Sequence, residues 1–214
     1  MSAGSGQKIG TGALPARSAD SVPVRGRPRD AETDEKILAA ARTLLATNGF
    51  EGMSFEAIAQ MTGLTRPTIY RRWPSKVHLA NEIANGGDSH LPDVLEQEGL
   101  RSQMRAFVDR LMHQFKRPEM PAANAGLAVS YLRSPELRVE LNDPIERRAR
   151  AEFAAVIDHA QALGLVRPGV EVDPLFEILV GAVIFRTIFS SIPSGEERFI
   201  EAVCDIVIDG IAKC

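Results

Sequence analysis

Apolar residues in this chain recur at helical intervals, and few segments alternate. Ile37, Leu38, Ala41, Leu44 and Leu45 make one stripe, which predicts a helix from about Asp30 or Thr33 to Asn48. The next stretch, SFEAIAQMTGLTRPTIYRRW from Ser54 to Trp73, predicts two short helices broken at Thr62-Gly63-Leu64. Ser54 is an N-cap residue, with Met53 and Ile58 at the positions of a hydrophobic staple, and Gly63 suits the left-handed C-cap of the first helix. Thr65 repeats the N-cap, Leu64 and Ile69 repeat the staple, and Pro67 lies in the first turn, where its missing N–H removes no bond. Ile69 and Trp73 share one face; the opposite face shows Arg66, Thr68, Arg71 and Arg72, with Tyr70 at its flank. Pro74 ends this helix. Ser75 caps another that runs to about Asn85, with Val77, Leu79, Ala80 and Ile83 inward, before Asn85-Gly86-Gly87-Asp88 breaks the pattern.

Helical segments follow near 99–116, 119–133, 134–142, 144–163, 173–191 and 196–212, punctuated by Pro118, Pro135, Pro144, Gly164, Pro168-Gly169 and Pro193. No alternating run is long enough for a sheet, so the fold is all-α. In the last segment Phe199, Ile200, Val203, Cys204, Ile206, Val207, Ile208 and Ile211 fill an arc of roughly 200°, wider than the stripe of a helix with one buried face. Two surfaces are expected, one toward its own core and one toward a second subunit, with Phe199, Val203, Val207 and Ile211 as interface candidates. Gly181 and Ala182 on the preceding helix permit close approach. A helix buried entirely in its own core is the alternative. Met104, Phe107, Leu111, Phe115, Tyr131, Phe153, Ile157, Phe185 and Phe189 either line a cavity for a small apolar molecule or pack as ordinary core.

Charge sharpens this division. The 214 residues carry a net −3, yet residues 25–80 hold nine basic and six acidic groups, and residues 81–214 hold 14 basic and 21 acidic. Such asymmetry directs a polyanion to one end of the molecule. Residues 1–24, rich in Gly, Ser and Ala, are expected to be disordered. Arg25-Gly26-Arg27-Pro28-Arg29 then forms a basic arm, which either enters a DNA minor groove or is a solvated linker.

Other classes fare poorly. The longest apolar run, Ile178–Phe185, falls far short of the roughly 20 residues that cross a bilayer, so no membrane partner is expected. The start of the chain has no apolar signal region, and Cys204 and Cys214 fit a reducing cytoplasm. His78, His90, His113 and His159 form no HExxH, no Glu-x-x-His pair and no cluster with cysteine, so neither a metal nor a cofactor is expected, and an all-α enzyme is a remote reading.

An arginine-bearing helix after a glycine turn is either a DNA-reading element or solvated charge. The flanks weigh on this choice: Ile37-Leu38-Ala39-Ala40-Ala41, Leu44-Leu45, Gly49-Phe50, Ile58-Ala59, Gly63-Leu64, Thr68-Ile69-Tyr70 and Ser75-Lys76 fall in one ordered run. From about Asp30 to Ile83 the chain resembles the DNA-binding domain of the tetracycline-repressor (TetR/AcrR) family. The resemblance implies that Arg66 and Pro67 read base edges, that Tyr70 lies at the DNA surface, and that Thr68 and Lys76 contact phosphates. It leaves open whether Arg71 and Arg72 touch base or backbone. Ser54 and Thr65, at the helix starts, complete the candidate DNA-facing set. Trp73 is expected in the core, and Glu56 either accepts from a cytosine amino group or favours its helix N-terminus.

After the tail (1–24), the resemblance further implies a helix-turn-helix domain with its arm (25–83) and a helical effector-binding and dimerisation domain (84–214). The expected protein is a cytoplasmic, nucleoid-associated bacterial repressor. It would bind a near-palindromic operator in double-stranded DNA as a homodimer and leave it when a small molecule binds. An activator, or a nucleoid protein of the same fold without a ligand, is the alternative.

Overall fold

One serine cap and two glycines set the geometry of the N-terminal helices. A computed structural model describes residues 31–86, 99–191 and 195–211; the tail, the arm residues Arg25, Arg27 and Arg29, and also Gly87, His90, Pro193 and Cys214, lie outside them. Helix α1 spans Ala31–Gly52, but Gly49 takes φ 72°, so its regular turns end at Asn48. Helix α2 (Phe55–Thr62) starts at Ser54, whose hydroxyl accepts from the Ala57 N–H at 3.1 Å, and ends at Gly63 with φ 71°. Helix α3 (Arg66–Tyr70) is barely more than one turn, and α4 covers Lys76–Asn85.

Thr65 and Ser75 precede α3 and α4 as expected, but neither side chain caps a backbone N–H. Each hydroxyl instead meets a side chain three residues on: Thr65 with the Thr68 hydroxyl at 3.0 Å, Ser75 with His78 Nδ1 at 2.8 Å.

Ile37, Ala41, Leu45, Met53, Ile58, Ile69, Trp73, Leu79 and Ile83 form one buried core. It does not close at the end of α4. Met120, Ala123 and Leu127 of α6 (Met120–Arg133) belong to the same cluster, so a helix of the C-terminal half completes the core beneath the N-terminal helices. Tyr131 on α6 donates to Asn81 Oδ1 at 2.9 Å, and burial pushes its phenol up to about 12.

The second core packs α5 (Leu100–Phe115), α8 (Asp143–Ala162), α9 (Val172–Ile184) and α10 (Glu196–Ile211) around Phe107, Phe153 and Phe176. The Phe107 and Phe153 ring centres are 4.7 Å apart. Along one edge, Arg101 with Asp205, Arg105 with Glu197 and Lys116 with Glu196 clip the α5 segment to α10. Among the described residues every helix or strand assigned is a helix, and no helix is long and apolar enough to cross a membrane.

The break expected at Pro144 is absent. Helix α7 (Pro135–Leu137) continues through a π-helical turn (Arg138–Asn142) directly into α8. Proline has no N–H and crowds the carbonyl four residues back, and the wider turn just before it accommodates both. A second π-helical turn, Phe185–Phe189, ends α9.

Candidate DNA-reading surface

The reading helix is held from below by apolar contacts. Phe55, Ile58, Ile69 and Trp73 are buried under α2 and α3, and the Trp73 indole N–H donates to Glu82 Oε2 at 2.5 Å. This fixes which side of α3 faces outward. Arg66, Pro67, Tyr70 and Arg71 are exposed, as are Ser54 and Thr65, with Thr68 half-buried. The Tyr70 ring stands edge-on to Phe55, 4.7 Å between centres, so an exposed aromatic is braced by a buried one. Glu56 is exposed in the first turn of α2.

Arg72 departs from the face assigned to it. Residues 71 and 72 lie in the turn after α3, and the Arg72 side chain bends inward, only 11% exposed, to an ion pair with Asp34 of α1. Its Nη1 also donates to the Thr68 carbonyl at 3.2 Å. A guanidinium so engaged joins the turn to α1. The remaining outward charge on α3 and its turn belongs to Arg66 and Arg71.

Lys76 is also engaged within the protein. Its Nζ lies 2.8 Å from Glu51 Oε2, 3.4 Å from the Phe50 carbonyl and 4.4 Å from the centre of the Phe50 ring. The hydrogen bond from Lys76 and its charge hold the exposed Glu51 carboxyl below the usual carboxylate range. Asp34 and Glu51 are the partners that sequence reading missed. They lie 38 and 25 residues from the cations they meet, so no local spacing signals them.

The other candidates divide. Met104, Phe107, Phe153 and Ile157 are fully packed core, Leu111 and Phe115 pack against it in part, and Tyr131 packs against the N-terminal core. Phe185 and Phe189 are 63% and 70% exposed. The nine residues therefore do not share one cavity. Of the interface candidates, Val207 and Ile211 are buried in their own core, whereas Gly181 is exposed and Ala182, Phe199 and Val203 are partly so. The wide apolar arc of α10 thus splits: Ile200, Cys204, Val207 and Ile211 face inward, and Ile206, 73% exposed, faces out. Burial pushes the Cys204 thiol up, consistent with a packing role.

Comparison with known proteins gives this geometry a family. The family model described as "Bacterial regulatory proteins, tetR family" matches residues 37–83, and "Tetracyclin repressor-like, C-terminal domain" matches 94–207. The chain belongs to the TetR family. It is a transcriptional regulator with a DNA-binding helix-turn-helix, and not an enzyme. An uncharacterized HTH-type transcriptional regulator of Mycobacterium bovis is 22% identical over 186 residues, covering 87% of this chain and 89% of the relative. A DNA-binding transcriptional repressor of Mycobacteroides abscessus is 28% identical over 152 residues, covering 70% and 75%. Among solved structures, Salmonella enterica GusR has a TM-score of 0.68 at 21% identity, covering 87% of this chain and 98% of its own. A TetR-family regulator from Mesorhizobium loti has a TM-score of 0.66 at 20% identity, covering 87% and 100%. At such identities these two likenesses speak for the fold alone.

Proposed function

We propose that this protein is a repressor that binds a near-palindromic operator as a homodimer in the bacterial cytoplasm and leaves it when a small molecule binds the C-terminal helices. The observation that carries this reading is the shared core: Met120, Ala123 and Leu127 of α6 pack into the cluster that seats the reading helix through Ile69 and Trp73. A change in α6 therefore reaches α3 through packed side chains. Arg66 and Pro67 read base edges, Thr68, Tyr70 and Lys76 hold the phosphate backbone, Arg71 adds charge beside them, and Arg25, Arg27 and Arg29 track the minor groove. Residues 25–83 read DNA, and residues 84–214 sense the effector and dimerise.

Support for the dimer comes from an uncovered apolar face. Ile178, Phe185 and Phe189 are 59–70% exposed along α9 and the turn that ends it, on either side of the exposed Gly181, and Ile206 of α10 is 73% exposed. A face of that kind marks an interaction site, and two-fold pairing would set two α3 helices against successive major-groove faces. The repressor assignment draws on the Mycobacteroides abscessus relative, whose name carries that activity. The test is to select bound sequences from a random DNA pool, then titrate the recovered site with the full chain. Inverted half-sites bound by two protomers are expected; a single half-site bound by a monomer would defeat the reading.

A further inference from the structure

A groove lies where α5 ends, α6 begins and the π-helical end of α9 passes over them. It encloses about 480 Å³, within the roughly 300–1,000 Å³ of small-molecule sites. Met112, Phe115 and Pro121 supply apolar wall; Lys116, Arg117 and Arg186 supply three cations, against the single carboxylate of Glu196. Glu196 is itself paired with Lys116, and the buried Glu119 behind the lining lies 3.8 Å from Arg117 Nε, so three cations meet two carboxylates and one positive charge is left in excess beside an apolar floor.

Arg117 connects this groove to the DNA-reading end. Its Nη2 donates to the Ile83 carbonyl at 2.9 Å and reaches the Ala84 carbonyl at 3.4 Å, while Gln114 Nε2 donates to Ala84 at 3.0 Å. Ile83 and Ala84 lie in the last turn of α4, where carbonyls have no partner within the helix. The C-terminus of α4 is thus closed by a cation and an amide from the opposite half of the molecule, and the cation also lines the groove. Carboxylate is the stronger partner for a guanidinium, because it accepts two parallel bonds and brings a full charge.

We propose that this groove binds a small carboxylate with an apolar body, and that its head group draws Arg117 away from the carbonyls of Ile83 and Ala84. The apolar body covers Met112 and Phe115, Arg186 supplies the second cation, and α4 loses its closure at the end farthest from Lys76. The binding half stands by itself; the release half rests on the repressor reading above.

Sodium decanoate titrated calorimetrically into the full chain tests the groove, with 1-decanol as the uncharged control. Saturable binding is expected, at least tenfold weaker in Arg117→Gln and in Arg186→Gln, and unchanged in Arg147→Gln on the exposed side of α8. Should Arg117→Gln fail a circular-dichroism check of folding, Arg186→Gln carries the comparison. Absence of saturable binding, equal binding of decanol, or undiminished binding by folded Arg186→Gln would overturn the site. In a parallel DNA titration decanoate should raise the operator Kd at least tenfold in the wild type and leave Arg186→Gln unaffected. Decanoate that binds without moving that Kd would overturn the release half. A chain with no operator affinity before decanoate is added would sink the repressor reading, and the calorimetry would still decide the groove.

Discussion

The ring of Phe50 occupies the space where residue 126 would carry a side chain: a Cβ built on Gly126 of α6 overlaps the Phe50 ring carbons. The same ring lies under the Lys76 ammonium. One aromatic therefore touches both α6 of the C-terminal half and a candidate phosphate contact.

Gly126→Ala should be destabilising. Alanine gains about 1 kcal/mol in helix propensity, whereas forcing a methyl into filled space costs about 1–3 kcal/mol, and here the obstruction is a whole ring. In a Phe50→Ala background the obstruction is gone, so the same substitution should become stabilising. Urea denaturation of the four proteins checks this; a Gly126→Ala effect of the same sign in both backgrounds would refute the contact.

Arg72 and Arg66 should fail differently. Arg72→Ala leaves Asp34 half-buried without its cation and should cost about 1–3 kcal/mol of stability, weakening every DNA sequence alike. Asp34→Ala should cost a similar amount, and the double mutant less than the sum of the two. A denaturation cycle with no coupling, joined to altered base preference in Arg72→Ala, would return Arg72 to the DNA surface.

Arg66 is exposed in the first turn of α3, and among the described residues it makes no ion pair. If it grips a guanine edge, Arg66→Ala should cost roughly 1–3 kcal/mol at one base pair per half-site and relax preference there, with stability unchanged. Titration against a set of single-base operator variants separates this from a backbone contact, which would lower all affinities equally.

If Lys76 grips a DNA phosphate, Glu51 competes for the same ammonium. Lys76→Ala should weaken binding and reduce the salt slope by about one counterion. Glu51→Gln should strengthen binding a few-fold, since an exposed ion pair is weak and its loss leaves Lys76 available to a phosphate. Because Lys76 depresses the Glu51 pKa, the pair is complete above the usual carboxylate range and is lost as pH falls through the lowered value. The advantage of Glu51→Gln should therefore be constant from about pH 6 to 8. An advantage that shrinks within that range would assign the effect to another group.

On α10, neighbouring positions should give opposite outcomes. Ile206→Glu changes an exposed residue and should yield a folded monomer with little operator affinity, whereas Val207→Glu buries a carboxylate in the protomer's own core and should unfold it. Sedimentation and circular dichroism distinguish them. An Ile206→Glu protein that stays dimeric would move the interface off this face.

What the sequence by itself determined is what short-range spacing encodes. The Ser54 cap, the left-handed Gly63, the all-α pattern and the apolar underside of α3 at Ile69 and Trp73 all depend on neighbours within a turn or two, and each stands in the structure where spacing puts it. The tertiary structure decided which exposed-looking cations are already engaged and which part of a wide apolar arc faces in. Arg72 meets Asp34, Lys76 meets Glu51 and Phe50 meets Gly126 only because α1 packs against α4, α6 and the turn after α3. Periodicity along one helix reports which residues share a face; it holds no term for what the rest of the chain brings to that face, and those long-range contacts set the outward chemistry of the DNA-reading surface.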